Sequence, residues 1–476
     1  MMLPRRRFLT HACALSTASL TAASMTGFGL SMTALQAAAQ TTADPAAGYK
    51  ALVCVFLLGG LDGNDTILPY DTPSYTCYAG LRQSLLQNYA NVQGGNSTRS
   101  RERLLPLNPV NAIQDGRQFA LTEELGGLHS LFEQGQAAIV ANVGPLVQKV
   151  TLADYQADAP WLPKRLFSHN DQQATWMSGA PEGASLGWGG RFADAALRSG
   201  ANTSGETFTA ITSAANAVFL TGEAVRPYQI SNNGAPLIDS LTALQGNPDQ
   251  YSLLRDHFNP DVNAIDHLLE RDFAGAMGNA LRNNEAYNAG TSTTGGPSTG
   301  FPGGPLGDQL RAVSQAIASR DALNVNRQVF FVGLGGFDTH SNQVLDLPPL
   351  QRQLDAGITA FVEAMRELGV SQDVTLFTAS DFGRTLAVNG DGTDHGWGNH
   401  HFVVGDAVNG RRILGELPPY DLAHALDAGG GRWIPNYSVE QFAAPLGRWF
   451  GLSEPELQAA LPNLNNFNST ALSYFA

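Results

Sequence analysis

Five short apolar runs stand out along the chain, and each ends in small or polar residues. They are "ALVCVFLLGG" (51–60), "AAIVANVG" (137–144), "RQVFFVGLGG" (327–336), "DVTLFTAS" (373–380) and "HHFVVGDA" (400–407). Their length and β-branched content read as strands. They are apolar almost throughout rather than alternating, which suits parallel strands covered on both faces. Stretches with helical spacing lie between them: residues 125–136 before the second strand, 307–320 before the third and 347–369 before the fourth. This alternation predicts an α/β sheet. Residues 288–306, rich in Gly, Ser, Thr and Pro, read as a linker inside that sheet domain rather than a boundary. The region 145–330 reads as an elaboration of the domain, most irregular over about 180–306, and the C-terminal segment has helix-and-cap character.

The N-terminus follows a different pattern. "PRRRFLT" places Arg5, Arg6 and Arg7 before an Ala/Ser/Thr-rich, mildly apolar stretch ending in "LQAAAQ". Basic start, apolar run and small-residue cleavage site together predict a twin-arginine export signal over 1–39, and a periplasmic or secreted location. The stretch holds too much Ser and Thr for a permanent span, so no stable membrane span is expected once the signal is cleaved.

Charge and composition narrow the picture. The chain carries a net charge of −14, and the signal holds three arginines and no acid, so the remainder is more acidic still. That excludes a nonspecific nucleic-acid binder. Only 15% of residues are charged and 51 are glycine, a loop-rich balance. Of the three cysteines, Cys13 lies in the signal. Cys54 and Cys77 remain, open to pairing in an oxidising compartment or to a structural role as small apolar residues.

Ligands of a parallel α/β sheet bind beyond the carboxyl ends of its strands, so the residues after each run matter most. After the first come Asp62, Asn64 and Asp65; after the second, at a distance, "FSHNDQQATWMSG" (167–179); after the third, Asp338, His340 and Asn342; after the fourth, Asp381 and Arg384. "DHGWGNHH" then supplies Asp394, His395, His400 and His401. Each has a plain alternative. Asp and Asn form turns, Asp338 can cap a helix, and the histidines can serve as scaffold hydrogen-bonders as well as metal ligands. Ser168 fits a helix N-cap and equally a nucleophile activated at a helix start. Trp161, Trp176, Trp188 and Trp397 offer stacking faces for a polymer, or core packing.

The ordered set "LLGGLDGNDTILPY", "LHSLFEQGQAAIVANVG", "SHNDQQATWMSG", "GWGGRF", "GGFDTHSNQ", "SDFGRT" and "GTDHGWGNHHFVVG" resembles the bacterial family called domain of unknown function 1501. That family looks related to the alkaline phosphatase-like superfamily of sulfatases and phosphoglycerate mutases. The resemblance spans about residues 50–450. It implies one alkaline phosphatase-like domain over 40–476, an α/β/α sandwich with a mostly parallel central sheet and a metal site at its carboxyl edge. It also implies metal-ligand roles for Asp62, Asp338, His340, Asp381, Asp394 and His395, and a nucleophile at Ser168. One ligand of the pattern is absent, because Phe382 rather than a histidine follows Asp381. Arg384 is then expected to bind an anionic group.

Two functions are therefore expected as alternatives. One is an exported, metal-dependent hydrolase of phosphate or sulfate esters, using a divalent ion (Zn, Mn, Mg or Ca) on an anionic small-molecule ester. The other is a catalytically silent envelope protein of the same fold with a degenerate metal site, which binds or assembles an exported protein partner.

Overall fold

The structure, a computed structural model, describes residues 48–475 apart from 96, 203–206, 216, 237, 245, 259, 263 and 264. The expected export signal lies outside the described residues. A nine-stranded sheet forms the centre. Its strands in chain order are β1 (Lys50–Leu58), β2 (Ala137–Gly144), β3 (Ala210–Thr212), β4 (Tyr228–Gln229), β5 (Arg327–Gly335), β6 (Val374–Ser380), β7 (Asn399–Val404), β8 (Arg412–Leu414) and β9 (Tyr437–Ser438). They lie in the order β8-β2-β7-β6-β1-β5-β3-β4, with β9 paired beside β2.

Successive strand residues point to opposite faces, and here both faces are apolar. Ala51, Val53, Val55 and Leu57 of β1 join one core, while Leu52, Cys54 and Phe56 join the other. Helices cover each face. On the first lie α1 (Gly126–Glu133), through Leu128 and Phe132, together with two helices between β3 and β6. On the second lie α2 (His169–Ser178) through Trp176, α3 (Trp188–Arg198) through Trp188 and Phe192, and a C-terminal helix, Val439–Phe450, through Phe442. The result is a three-layer α/β/α sandwich.

Most neighbouring strands run parallel, including β6-β1-β5 at the centre. The fifth predicted strand departs from the parallel expectation: β7 is antiparallel to both β2 and β6. Its connection explains this. Between Ser380 and Asn399 the chain makes only a hairpin, Arg384–Val388 paired with Thr393–His395, at the carboxyl edge. A parallel return needs a crossover to the opposite edge, and none is present there.

Two other expectations change. Much of the expected linker is helix: α4 (Leu268–Thr294) continues through "NAGTSTT" and stops only at Gly295, φ 68°. The hydroxyls of Thr291, Ser292, Thr293 and Thr294 bond to carbonyls four residues back, so these polar side chains are satisfied within the helix itself. Cys54 and Cys77 do not pair; the first is buried in β1, and the second is exposed on the helix Thr72–Leu81. The two helices that cover the first face between β3 and β6 are α5 (Pro305–Ala318) and α6 (Gln343–Glu367). No helix among the described residues is long and apolar enough to cross a membrane.

Candidate functional site

Because β6, β1 and β5 are adjacent and parallel, the turns after them share one edge. Gly59, Asp338 and Asp381 meet there. The Gly59 N–H donates to Asp381 Oδ1 at 3.1 Å. Gly59 has φ 112°, and a Cβ would lie 2.4 Å from the Asp338 nitrogen. Only glycine meets both demands.

Three histidines converge on Asp338. His169 Nε2 lies 3.4 Å from Oδ2, while His340 Nε2 and His395 Nε2 lie 3.1 and 3.2 Å from Oδ1. His169, Asp338 and His395 each offer a ligand atom within 4.8 Å of the others. His340 Nε2 is 2.8 Å from His395 Nε2. The other nitrogen of each ring meets an oxygen: His169 Nδ1 meets Asp381 Oδ2 at 2.7 Å, His340 Nδ1 meets Asp394 Oδ1 at 3.1 Å, and His395 Nδ1 meets the Phe167 carbonyl at 2.7 Å. An Nδ1–H that donates outward leaves Nε2 with a lone pair. When the rings are neutral, these lone pairs face the Asp338 carboxylate, and a proton or cation is needed between them. Phe167 presents its carbonyl from φ 72°, an uncommon conformation for a residue other than glycine. The Phe382 ring packs against two of the imidazoles, with centroids 4.9 Å from His169 and 4.5 Å from His395.

The environment tunes these groups unequally. The Asp381 hydrogen bond lifts His169 above the usual histidine range, against the effect of partial burial. Burial pushes His395 down. Burial pushes the Asp338 carboxyl up, but the Arg384 hydrogen bond and charge, with His169 and His340 beside it, hold it below the usual range. His340 and Asp338 remain open to solvent, with side chains 42% and 45% exposed.

Of the expected ligands, Asp338, His340 and His395 come together and the others take different places. Asp62 is fully buried and salt-bridged to Arg82, with Nη1 2.7 Å from Oδ2 and Nη2 3.1 Å from Oδ1, and it also accepts from Gln343 Nε2 at 2.7 Å. Both of its oxygens face a guanidinium, and it stands apart from the histidine cluster. Asp381 has Oδ1 on Gly59 and Oδ2 shared by His169 and Gln173 Nε2, so it orients His169. Asp394, held by Asn389 Nδ2 at 2.6 Å, stands behind His340.

The two expected catalytic residues both have partners within the protein. Arg384 is buried. Its nitrogens reach Asp338 Oδ1 at 2.7 Å, the Gly59 carbonyl and both oxygens of Thr393, leaving no free fork for a substrate anion. Ser168 does occupy the N-cap of α2, but its hydroxyl donates to Asp171 Oδ2 at 3.0 Å. His400 and His401 are buried in β7. His400 Nδ1 accepts from the Asn142 N–H, and burial takes the two imidazoles down to about 4 and about 3. Trp176, Trp188 and Trp397 are core residues, which removes three of the four stacking faces.

His169 and Gln173 are functional positions the sequence reading passed over, although both lie in a segment it singled out. Their i,i+4 spacing on α2 places them on one helix face, and both reach Asp381. The imidazole beside Asp381 thus comes from α2 rather than from position 382.

Comparisons with known proteins add the following. The model of the family described as "Protein of unknown function (DUF1501)" matches residues 49–429. No curated protein matches the chain. Among solved structures, the lipoteichoic acid synthase LtaP from Listeria monocytogenes is 9% identical, with 86% of this chain and 74% of that one covered and a TM-score of 0.33. The PsFucS1 sulfatase from Pseudoalteromonas sp. is 9% identical, with coverages of 93% and 73% and a TM-score of 0.35. A mutant of the alkaline phosphatase PafA is 10% identical, with coverages of 71% and 64% and a TM-score of 0.26.

Proposed function

The chain belongs to the DUF1501 family, and we propose that it is an exported hydrolase of phosphate or sulfate esters that works with one divalent metal ion. The ligands would be His169 Nε2, an Asp338 oxygen, His340 Nε2 and His395 Nε2. One observation carries the metal: two imidazole nitrogens, each left as an acceptor by its outward-facing partner, stand 2.8 Å apart beside a carboxylate. Lone pairs at that distance repel unless a cation or proton sits with them. An imidazole-rich set with one carboxylate suits Zn²⁺, and also Mn²⁺ or Fe²⁺, better than Ca²⁺ or Mg²⁺.

When bound, such an ion supplies Lewis acidity to an ester oxygen and makes a nearby water more acidic. The protein contributes the rest. Asp381, with Gln173 and the Gly59 N–H, fixes the His169 ring. Asp394 with Asn389 fixes His340, and the Phe167 carbonyl fixes His395; outer partners of this kind orient ligands and raise their basicity. Arg384 holds Asp338 ionised and directed inward. The ester class comes from the motif resemblance, and the exposed side of Asp338 and His340 provides an approach for it.

Metal analysis of purified protein and release of p-nitrophenol from its phosphate and sulfate esters test this. The expected result is one equivalent of metal, turnover lost on chelation and restored by Zn²⁺ or Mn²⁺. Metal-free protein inert with every divalent ion would overturn it.

A second function, a silent envelope protein with an exported partner, is favoured by one observation. The two side chains expected to do chemistry, Ser168 and Arg384, are both engaged within the protein. Co-purification of a stoichiometric partner by an inert, metal-loaded protein would select it.

A further inference from the structure

Beside α2 lies a cavity of about 360 Å³, at the small end of ligand cavities, ~300–1,000 Å³. Three of its lining residues are tied to the site. Asn170 follows His169. Leu58 precedes Gly59, whose N–H holds Asp381. Gln173 lines the cavity while its amide donates to Asp381 Oδ2 at 2.8 Å.

The rest of the wall is largely hydrocarbon, from Ala174 and Met177 of α2, Ala217 and Val218 of the loop after β3, and Phe331 of β5. Among the described lining residues there is no Lys, Arg or His, and Glu182 carries the one ionisable group. A phosphate or sulfate group would find no cation among the described lining residues, and the nearby Arg165, outside the lining, stands 4.0 Å from the Glu182 carboxylate. An uncharged apolar group gains from burial.

We propose that this cavity seats the uncharged, apolar alcohol portion of the ester while its anionic end lies at the histidines. The proposal rests on the hydrolase reading and names its substrate class: monoesters of aryl or bulky alkyl alcohols. Gln173 then has two tasks, since the side chain that borders the alcohol also steadies Asp381.

Two measurements separate the cavity from the chemistry. Fluorescence titration with 2-naphthol, which carries no anionic group, reads the cavity alone. The ratio of kcat/KM for naphthyl and ethyl esters reads it during turnover. Ala217→Trp fills the cavity from the loop and Ala174→Phe fills it from α2, so a folding defect in one leaves the other. The expected result is that each variant weakens 2-naphthol binding about tenfold or more and lowers kcat/KM for the naphthyl ester by a similar factor, with the ethyl ester within about twofold. If 2-naphthol does not bind wild type, or binds wild type and both variants alike, the cavity proposal is overturned. If binding is lost in the variants but no ester is cleaved by wild type, the cavity stands and the hydrolase reading falls.

Discussion

Two polar clusters share the carboxyl edge of the sheet, and they are built oppositely. The turn after β1 packs Asp62 and Asp65 at 0% exposure against Arg82 and Arg99, with Tyr89, Gln343 and Gln351 completing their hydrogen bonds. The histidine cluster around Asp338 stays open and has more Nε2 acceptors than donors. Both are rich in metal-ligating residue types. What separates them is how fully the chain's own cations cover the carboxylates: Arg82 takes both oxygens of Asp62, whereas Arg384 takes only Oδ1 of Asp338, and Oδ2 faces His169. The closed, fully paired cluster holds the fold together, and the open one keeps a carboxylate oxygen and imidazole nitrogens accessible. A chain of contacts joins the two: Gln343 Nε2 donates to Asp62, Gln343 Oε1 accepts from Thr393, and Thr393 holds Arg384 against Asp338.

The contrast is broken most directly at Arg82. Arg82→Met leaves Asp62 buried and unpaired, and urea denaturation is expected to show a loss of about 3–5 kcal/mol. Removing Asp62 as well is expected to recover part of it. At the open cluster, His340→Ala is expected to change stability by less than about 1 kcal/mol. Its Zn²⁺ affinity, by competition with a chelating dye, should fall more than about 100-fold, beyond the cost of losing an outer partner. A large stability loss with unchanged metal binding would show that the open cluster is scaffold too.

Glu440 sharpens the comparison as a buried carboxylate whose hydrogen-bond partner is an amide, Asn463 Nδ2 at 2.9 Å, rather than a guanidinium. Burial pushes it up to about 7 from the ordinary 4.5 of a glutamate. A raised acid favours the folded state while protonated, so its contribution is full below about 4.5 and is lost as pH rises through about 7. Glu440→Gln is therefore expected to be close to wild type in Tm at pH 4.5 and more stable at pH 8, by on the order of 2–3 kcal/mol. A Tm difference that stays constant with pH would count against this. The smallest expected effect is Asp381→Asn, which keeps the shape but weakens the hold on His169; Zn²⁺ affinity should drop ~10–100-fold.

Much of the fold was legible in the apolar runs, and the strand expected at 137–144 has those limits in the structure. The direction of β7 was not legible, because it depends on the path of a hairpin rather than on side-chain pattern. Among site residues, Asp338, His340 and His395 follow or flank strands and were visible. Asp62 looked the same from sequence, since nothing in its motif shows that Arg82, on the next helical segment, folds onto it. His169 was overlooked because Ser168 beside it had two ready roles, and its partnership with Asp381 spans 212 positions. His400 and His401 looked like ligands by proximity to His395, but alternation within β7 and depth in the sheet made them core residues.

The position of β1 between β5 and β6 has a consequence for how the molecule is made. An early strand takes its two neighbours from segments that begin at residues 327 and 374. During synthesis it therefore waits, unpaired, until most of the polypeptide has emerged. The imidazoles and the acid they surround cannot assemble before then, so any ion taken up at the cluster would enter late in maturation. A chain truncated before residue 395 would lack the final imidazole of the cluster.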